Sequence, residues 1–476
     1  MRRVWRRILA SSGALLLGAG LLSGQVQQQG AASGRLVLSD PRGTAITEYI
    51  AALDAYQNLS WTEGFAHAQR SFTMDSTFGL ARALYARYRG GPDASAQATR
   101  AAADAVRGSA PEAIIALANA STGAAAAGLW DLAIKLLPND PRVATDRALA
   151  LTGPARIAAL RETASKFSEA AAPRMLLAYY LVQLTPPRPK AIDDEALAVA
   201  QEAVRLAPSS SGAHATLGLV YARSGNEDLA MTHYGHATSM ASPFEGAFQF
   251  RAELFEQQGK YAEARATLDS AILVTANLSN RVTYMAYRAV TFLYEGNLAA
   301  TMSAYEDAAR EARANDDLAS EAAVHGLMAI VYAGVGNAKA AEEHRAISRR
   351  LGASPGALAD NGVIMYALTK QGPAARKALE SYIELSAVQP PDVRTENVHR
   401  MTGLTLLAEG KAEEAIPELK QGGFNPFAQL GLIDAYTALG RKKEADAERA
   451  AMLARKTFGV GSTAMPIARY RYAKKQ

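Results

Sequence analysis

Seven histidines are the side chains in this 476-residue sequence best suited to proton transfer or metal binding near neutral pH. Two of them, His233 and His236, stand three residues apart, which on a helix puts both imidazoles on one face. No third ligand is evident beside them. His344 sits in the run Glu342-Glu343-His344-Arg345, which reads as the solvated face of a helix. There is no cysteine, which excludes thiolate metal sites, disulfides and a cysteine nucleophile. The pairs Asp193-Asp194 and Asp316-Asp317 fall at expected helix starts, where a carboxylate complements the helix dipole. No Walker loop, G-x-S-x-G elbow, zinc-ligand spacing or basic region with heptads occurs. These readings predict no catalytic residues, no metal, no cofactor and no nucleic-acid partner. An enzyme would need a site hidden in residues 44–190, marked by a deep pocket holding a carboxylate pair with displaced pKa values.

What the histidines and acids are for depends on the elements that carry them. Hydrophobic residues make up 49% of the chain but aromatics only 7%, and alanine is abundant. That balance favours closely stacked helices over a sheet. Residues 213–237 contain Leu217-Gly218, Tyr221, Gly225, Ala230, Tyr234 and Ala237. Much of the pattern recurs 34 residues on, at Ala252, Phe255, Gly259, Ala264, Leu268 and Ala271. Such a period predicts two antiparallel helices per repeat. Gly218 and Ala230 face each other where the helices cross, Tyr221 and Tyr234 fill the wider gaps, and Gly225 ends the first helix in a left-handed turn. The turn glycines Gly225, Gly259, Gly296, Gly336, Gly372, Gly410 and Gly440 extend this register. In the N-terminal half, helices are expected near 44–57 and 61–73, with Trp61, Phe65, Ala68 and Phe72 inward. Others follow near 74–90 (with the run starting at Phe78), 93–107, 111–121, 124–137, 142–151, 154–167, 170–185 and 191–210, the last ending at Pro208.

The pattern resembles the tetratricopeptide repeat (TPR) family, whose first helix carries Leu-Gly and an aromatic and whose second carries Ala, an aromatic and Ala. The best copy matches at Leu217, Gly218, Tyr221, Ala230, Tyr234 and Ala237, with His214 in the family's large first position. The resemblance covers 191–455, and 44–190 more loosely. It implies an all-α fold, a right-handed α-solenoid of about ten antiparallel helix hairpins in a TPR-like superhelix. It also implies a concave groove lined by the first helices. Carried onto this register, the groove positions include Leu219, Ala222, Gln257, Thr283, Val290, Leu293 and Leu404. The partner-binding candidates are Arg223, Gln249, Glu253, Glu256, Tyr294, Tyr366, Lys370 and Arg400. The Lys, Asn and Arg cluster with which chaperone-binding members grip a terminal carboxylate has no counterpart here.

Arg2, Arg3, Arg6 and Arg7 head an apolar run from Ile8 to Leu22, which is short for a membrane span and fits a signal-peptide core. Setting these arginines aside lowers the formal charge from +5 to +1, so the basic excess is mostly N-terminal. Gly30-Ala31-Ala32 suits a cleavage site. The expected organisation is a signal peptide or N-terminal anchor (1–24), a linker (25–43), degenerate TPR-like repeats (44–190), TPR repeats (191–455) and a C-terminal tail (456–476). The Arg-Tyr alternation of 469–475 reads as a solubilising end. The expected protein is an exported bacterial member, periplasmic or otherwise in the cell envelope. It touches membrane only through its N-terminal segment, if that is uncleaved. Its expected function is a non-catalytic protein–protein interaction scaffold holding peptide or helical segments of a partner in the groove. The alternative is a sensor or regulatory TPR module working with a separate enzyme such as a kinase or transcription regulator.

Overall fold

A computed structural model of the chain describes Leu36 and residues 43–90, 94–105, 109–121, 123–184, 188–388, 391–423, 425–453 and 463–472. The leader, the cleavage-site segment and most of the linker lie outside the described residues. Among the described residues the regular structure is 25 α-helices and one short 3₁₀ turn, with no strand. The fold is thus the expected all-α stack of TPR-like hairpins. Packing divides it into two units, the first comprising the described residues up to Leu177 except Gly90, together with 205–207, and the second the others.

The first unit holds four hairpins. These are α1 (Thr44–Gln57) with α2 (Trp61–Met74), α3 (Gly79–Arg89) with α4 (Ala94–Ala105), α5 (Ala110–Ala120) with α6 (Gly123–Leu136), and α7 (Pro141–Ala150) with α8 (Gly153–Lys166). Trp61, Phe65 and Phe72 pack on its core around the fully buried Ala68. The division between the units falls on α9 (Ala171–Val182) and α10 (Lys190–Leu206).

The second unit holds seven more hairpins. They are α11 (Ser211–Arg223) with α12 (Glu227–Ser239), α13 (Glu245–Gln257) with α14 (Tyr261–Val274), α15 (Leu278–Tyr294) with α16 (Leu298–Ala314), α17 (Leu318–Gly334) with α18 (Ala338–Arg350), α19 (Pro355–Leu368) with α20 (Gly372–Leu385), α21 (Pro391–Ala408) with α22 (Ala412–Gln421), and α23 (Pro426–Ala438) with α24 (Lys442–Leu453). A last helix, α25, spans Ala464–Tyr472. The C-terminal tail is helical from 464 to 472, a stretch that includes the start of the Arg-Tyr segment read as a solubilising end. The side chains of Arg469, Tyr470 and Tyr472, and residues 473–476, lie outside the description.

Local chemistry explains the hairpin turns. At the end of α11 the Gly225 amide donates to the Ala222 carbonyl and the Asn226 amide to that of Tyr221, with Gly225 left-handed at φ 82°. Asn226 then caps α12 by accepting the Leu229 amide, and the same Gly-Asn pair recurs at 296–297 and 336–337, before α16 and α18. Gly372 departs from the expected register. It is the first residue of α20, and the left-handed position before it belongs to Lys370, at φ 58°, whose amide donates to the Ala367 carbonyl. The turn-to-turn spacings around it become 34 and 40. Where α11 and α12 cross, a Cβ on Gly218 would come within 2.7 Å of the Tyr234 ring and 3.2 Å of the Ala230 carbonyl. Tyr234 itself is buried.

Candidate partner-binding groove

The histidines join helices. His214 on α11 faces His233 on α12, Nδ1 to Nδ1 at 3.1 Å, and His325 on α17 faces His344 on α18 at 2.9 Å. The offset is 19 residues in both hairpins, and at the same offset His399 meets Glu418 at 2.6 Å and Gln429 meets Glu448 at 3.3 Å. His214 Nε2 donates to the Pro208 carbonyl at 3.1 Å, leaving its Nδ1 to accept from His233. Burial pulls all four paired imidazoles below the usual histidine range. His236 adds a third ring 5.4 Å from that of His214, yet no group of three histidine, aspartate or glutamate side chains among the described residues is arranged to hold a metal. The run Glu342–Arg345 is more than a solvated face, because His344 pairs inward and Arg345 reaches α19. Asp317 caps α17 by accepting the Ser320 amide at 3.0 Å, a helix-start role, while Asp316 occupies a left-handed turn.

The first unit buries a polar cluster around a cavity of about 20 Å³, lined among others by Tyr49, Arg87, Asp140, Arg142 and Asp146. Burial pushes the Asp146 carboxyl up, against the Arg87 charge and a Gln57 hydrogen bond. Burial acts on Asp140 too, but hydrogen bonds from Arg142 at 3.2 Å and from the Leu36 amide at 3.0 Å outweigh it and hold that carboxyl low. The displaced carboxylate pair that would mark a hidden site is therefore present, but its cavity has room for about one water molecule.

The eight groove candidates separate into different environments. Arg223 lies 3.6 Å from Glu253, and Gln249 is half-buried nearby. Glu253 and Glu256 are each only 6% exposed, so they offer no carboxylate surface to a partner; α13 is held against its neighbours on the face the register assigned to the groove. Burial, reinforced by Glu253, pushes Glu256 up to about 8. Leu219, Val290, Leu293 and Leu404 are likewise buried in the core. Tyr294 stacks on Tyr261 with ring centres 5.3 Å apart. Burial lowers the Arg400 guanidinium against the attraction of Asp360, and Arg400 donates to Asn397 at 2.7 Å.

Two candidates line open clefts. Tyr366 accepts from Arg345 Nε at 3.3 Å and donates to Glu342 at 3.2 Å. It borders a cleft of about 470 Å³ with Arg349 and Lys377 on its rim and Leu358, Ala359 and Ala378 among its apolar lining. Lys370 is exposed beside Arg376, Glu409 and Lys411. Both Arg376 oxygen contacts go to Glu409, at 2.7 and 2.8 Å, and together with Lys411 they hold that carboxyl down to about 2. A side chain with a Cβ in the left-handed region costs about 1 kcal/mol. Lys370→Gly is therefore expected to raise stability by about 1 kcal/mol, seen as a higher urea midpoint, while Lys370→Ala leaves the midpoint near that of the wild type.

The feature sequence reasoning missed is what lies on the first helices. The α25 helix packs on α15, α17 and α23, the first helices of the third, fourth and seventh hairpins of the unit, and touches α24. Ala464, Ile467 and Ala468 are buried against them. A Cβ on Gly334 would meet Ile467 at 2.6 Å, so glycine there lets the two helices touch. Arg471 donates through Nε to the Gly334 carbonyl at 2.6 Å and through Nη1 to Asp434 at 3.1 Å. The apolar residues 464, 467 and 468, followed by the basic 471, form a helical stripe that was present in the sequence.

The fold and this groove define an all-α helical-repeat protein of TPR-like architecture. No protein-family model and no curated protein matches the sequence. Solved structures it is similar to include Pseudomonas aeruginosa pilF (17% identical, TM-score 0.31, covering 48% of this chain and 95% of that one). Another is yeast Tom70 (11% identical, TM-score 0.44, covering 84% and 96%). A third is human IFIT1, solved as a dimer with m7Gppp-AAAA (13% identical, TM-score 0.38, covering 83% and 98%). Likeness at this level adds nothing to the reading of the hairpins themselves.

Proposed function

We propose that this chain is a non-catalytic scaffold of the cell envelope that holds a helical segment of a partner protein against the first helices of its second unit. The observation that carries the reading is α25, a helix seated on α15, α17 and α23, which demonstrates that this surface accommodates a helix. The four N-terminal arginines and the apolar run behind them support the envelope location. No described helix is long and apolar enough to cross a membrane.

The test is site-specific photocrosslinking in cells of the native host. A photoreactive residue at Tyr294, at the end of α15, is expected to capture a discrete protein partner in the envelope fraction. The same residue at Lys339, whose side chain is 90% exposed on α18, is expected to capture none. Equal capture at both positions, or a chain found wholly in the cytoplasmic fraction, overturns the reading.

A further inference from the structure

We propose that α25 is an exchangeable occupant of the groove, which a partner's amphipathic helix replaces when it carries the same signature. That signature is small or isoleucine-sized apolar residues at i, i+3 and i+4 followed by a basic residue at i+7, as in Ala464, Ile467, Ala468 and Arg471. The inference rests on the groove reading above and adds a cis-held, self-blocked state to it.

Four observations carry it. The described helix spans nine residues, a length not stable in water by itself, so its helicity depends on the surface beneath it. Among the described side chains its buried anchor is small, one isoleucine between two alanines with Pro466 and Thr463, set against the cost of ordering the whole segment. Among the described side chains its polar latch is Arg471, which is partly exposed, as is Asp434, its partner on α23. Finally, the groove meets it with complementary chemistry. Gly334 provides both the gap for an isoleucine and an outward carbonyl for a cation, while Asp434 provides the negative charge. A short terminal helix held from one side opens locally more readily than the hairpins below it. A partner helix that brings the same cation finds the same carbonyl and carboxylate.

The experiment uses the full chain and a fluorescent peptide of residues 461–476. Arg471→Ala weakens the cis helix but leaves Asp434 and the Gly334 carbonyl for the peptide. The occupied fraction of the groove lowers apparent affinity in proportion, so this variant is expected to bind the peptide about tenfold more tightly than the wild type. Gly334→Ala fills the isoleucine seat and is expected to bind none. A peptide with its own Arg471→Ala change is expected to bind the released chain more weakly. In the unaltered chain, amides of 464–472 are expected to exchange with solvent faster than those of α15 and α17. Equal peptide affinity for wild type, Arg471→Ala and Gly334→Ala overturns the proposal. So does exchange of 464–472 only together with α15 and α17, a readout that needs no variant. Concentration-dependent dimers of Arg471→Ala without peptide assign the groove to a second copy and overturn the partner assignment. A partner crosslinked at Tyr294 whose capture is unchanged by Arg471→Ala sinks the exchange while leaving the scaffold function standing.

Discussion

Tyr234→Ala is expected to cost the second unit about 4 kcal/mol, measured as a loss of urea stability. Tyr234 is 1% exposed, and its ring fills the gap over Gly218 at the crossing of α11 and α12. Its neighbours in the core are Ala230 and Leu254, with Phe250 packed against them, so truncation leaves a cavity between these side chains. The contact makes a second, sharper expectation. A Cβ at residue 218 overlaps the tyrosine ring, so Gly218→Ala alone destabilises; in the Tyr234→Ala background the added methyl enters the vacated space and costs less, or restores part of the loss. The double-mutant cycle is therefore expected to be strongly non-additive. Additive effects would show that the two residues do not meet and that the hairpin crossing lies elsewhere. Because each repeat of a stack supports its neighbours, the loss is expected to spread to α13 and α14 before it reaches α23.

Glu256→Gln is expected to stabilise the same unit by about 2 kcal/mol at pH 8 and by almost nothing near pH 4.5. Burial holds the Glu256 carboxyl up to about 8, from an ordinary 4.5, and its Oε1 has no hydrogen-bond partner. The folded state thus keeps a proton that the unfolded chain gives up as pH rises above 4.5. The stabilising effect of that proton is full below 4.5 and is lost as pH climbs through about 8. Glutamine has no charge to bury, so the gap between variant and wild type widens with pH, less whatever its own buried amide costs. Urea melts of both proteins at pH 5 and pH 8 check this. A variant no more stable than the wild type at pH 8 would mean that water or a cation reaches Glu256.

Much of the fold was legible because local and long-range signals agreed. The N-terminal helices fall within a few residues of their expected bounds, and their ends are fixed by visible caps: Ser109 accepts the Glu112 amide and Asp140 the amides of Arg142 and Val143. The turn at 370 was misread because lysine hides a left-handed position and Gly372, two residues on, imitates it. The groove was legible as a set of positions and not as a surface. Family register places Glu253, Glu256, Val290 and Leu293 on first helices correctly, but whether such a side chain meets solvent depends on how closely successive hairpins pack, which no single repeat encodes. The histidine pairs left a numerical trace, an offset of 19 shared by His214–His233 and His325–His344, that is meaningful only once two helices are known to face each other. The docking of α25 left only four residues of pattern, in a stretch whose helix forms because of what it lies on.

The position of α25 in the chain also introduces time. Arg471 closes a contact with Gly334 across 137 residues. Chains are made from the N-terminus at about 5–20 residues per second, so α15, α17 and α23, which ends at Ala438, are complete on the order of seconds before residues 464–472 exist. During that interval every newly made copy carries an empty seat. A helix already nearby meets it without competition, and one that arrives later must wait for α25 to lift. Two identical chains can therefore differ in occupancy by the order of their encounters alone, and the rate at which α25 releases sets how long that history lasts.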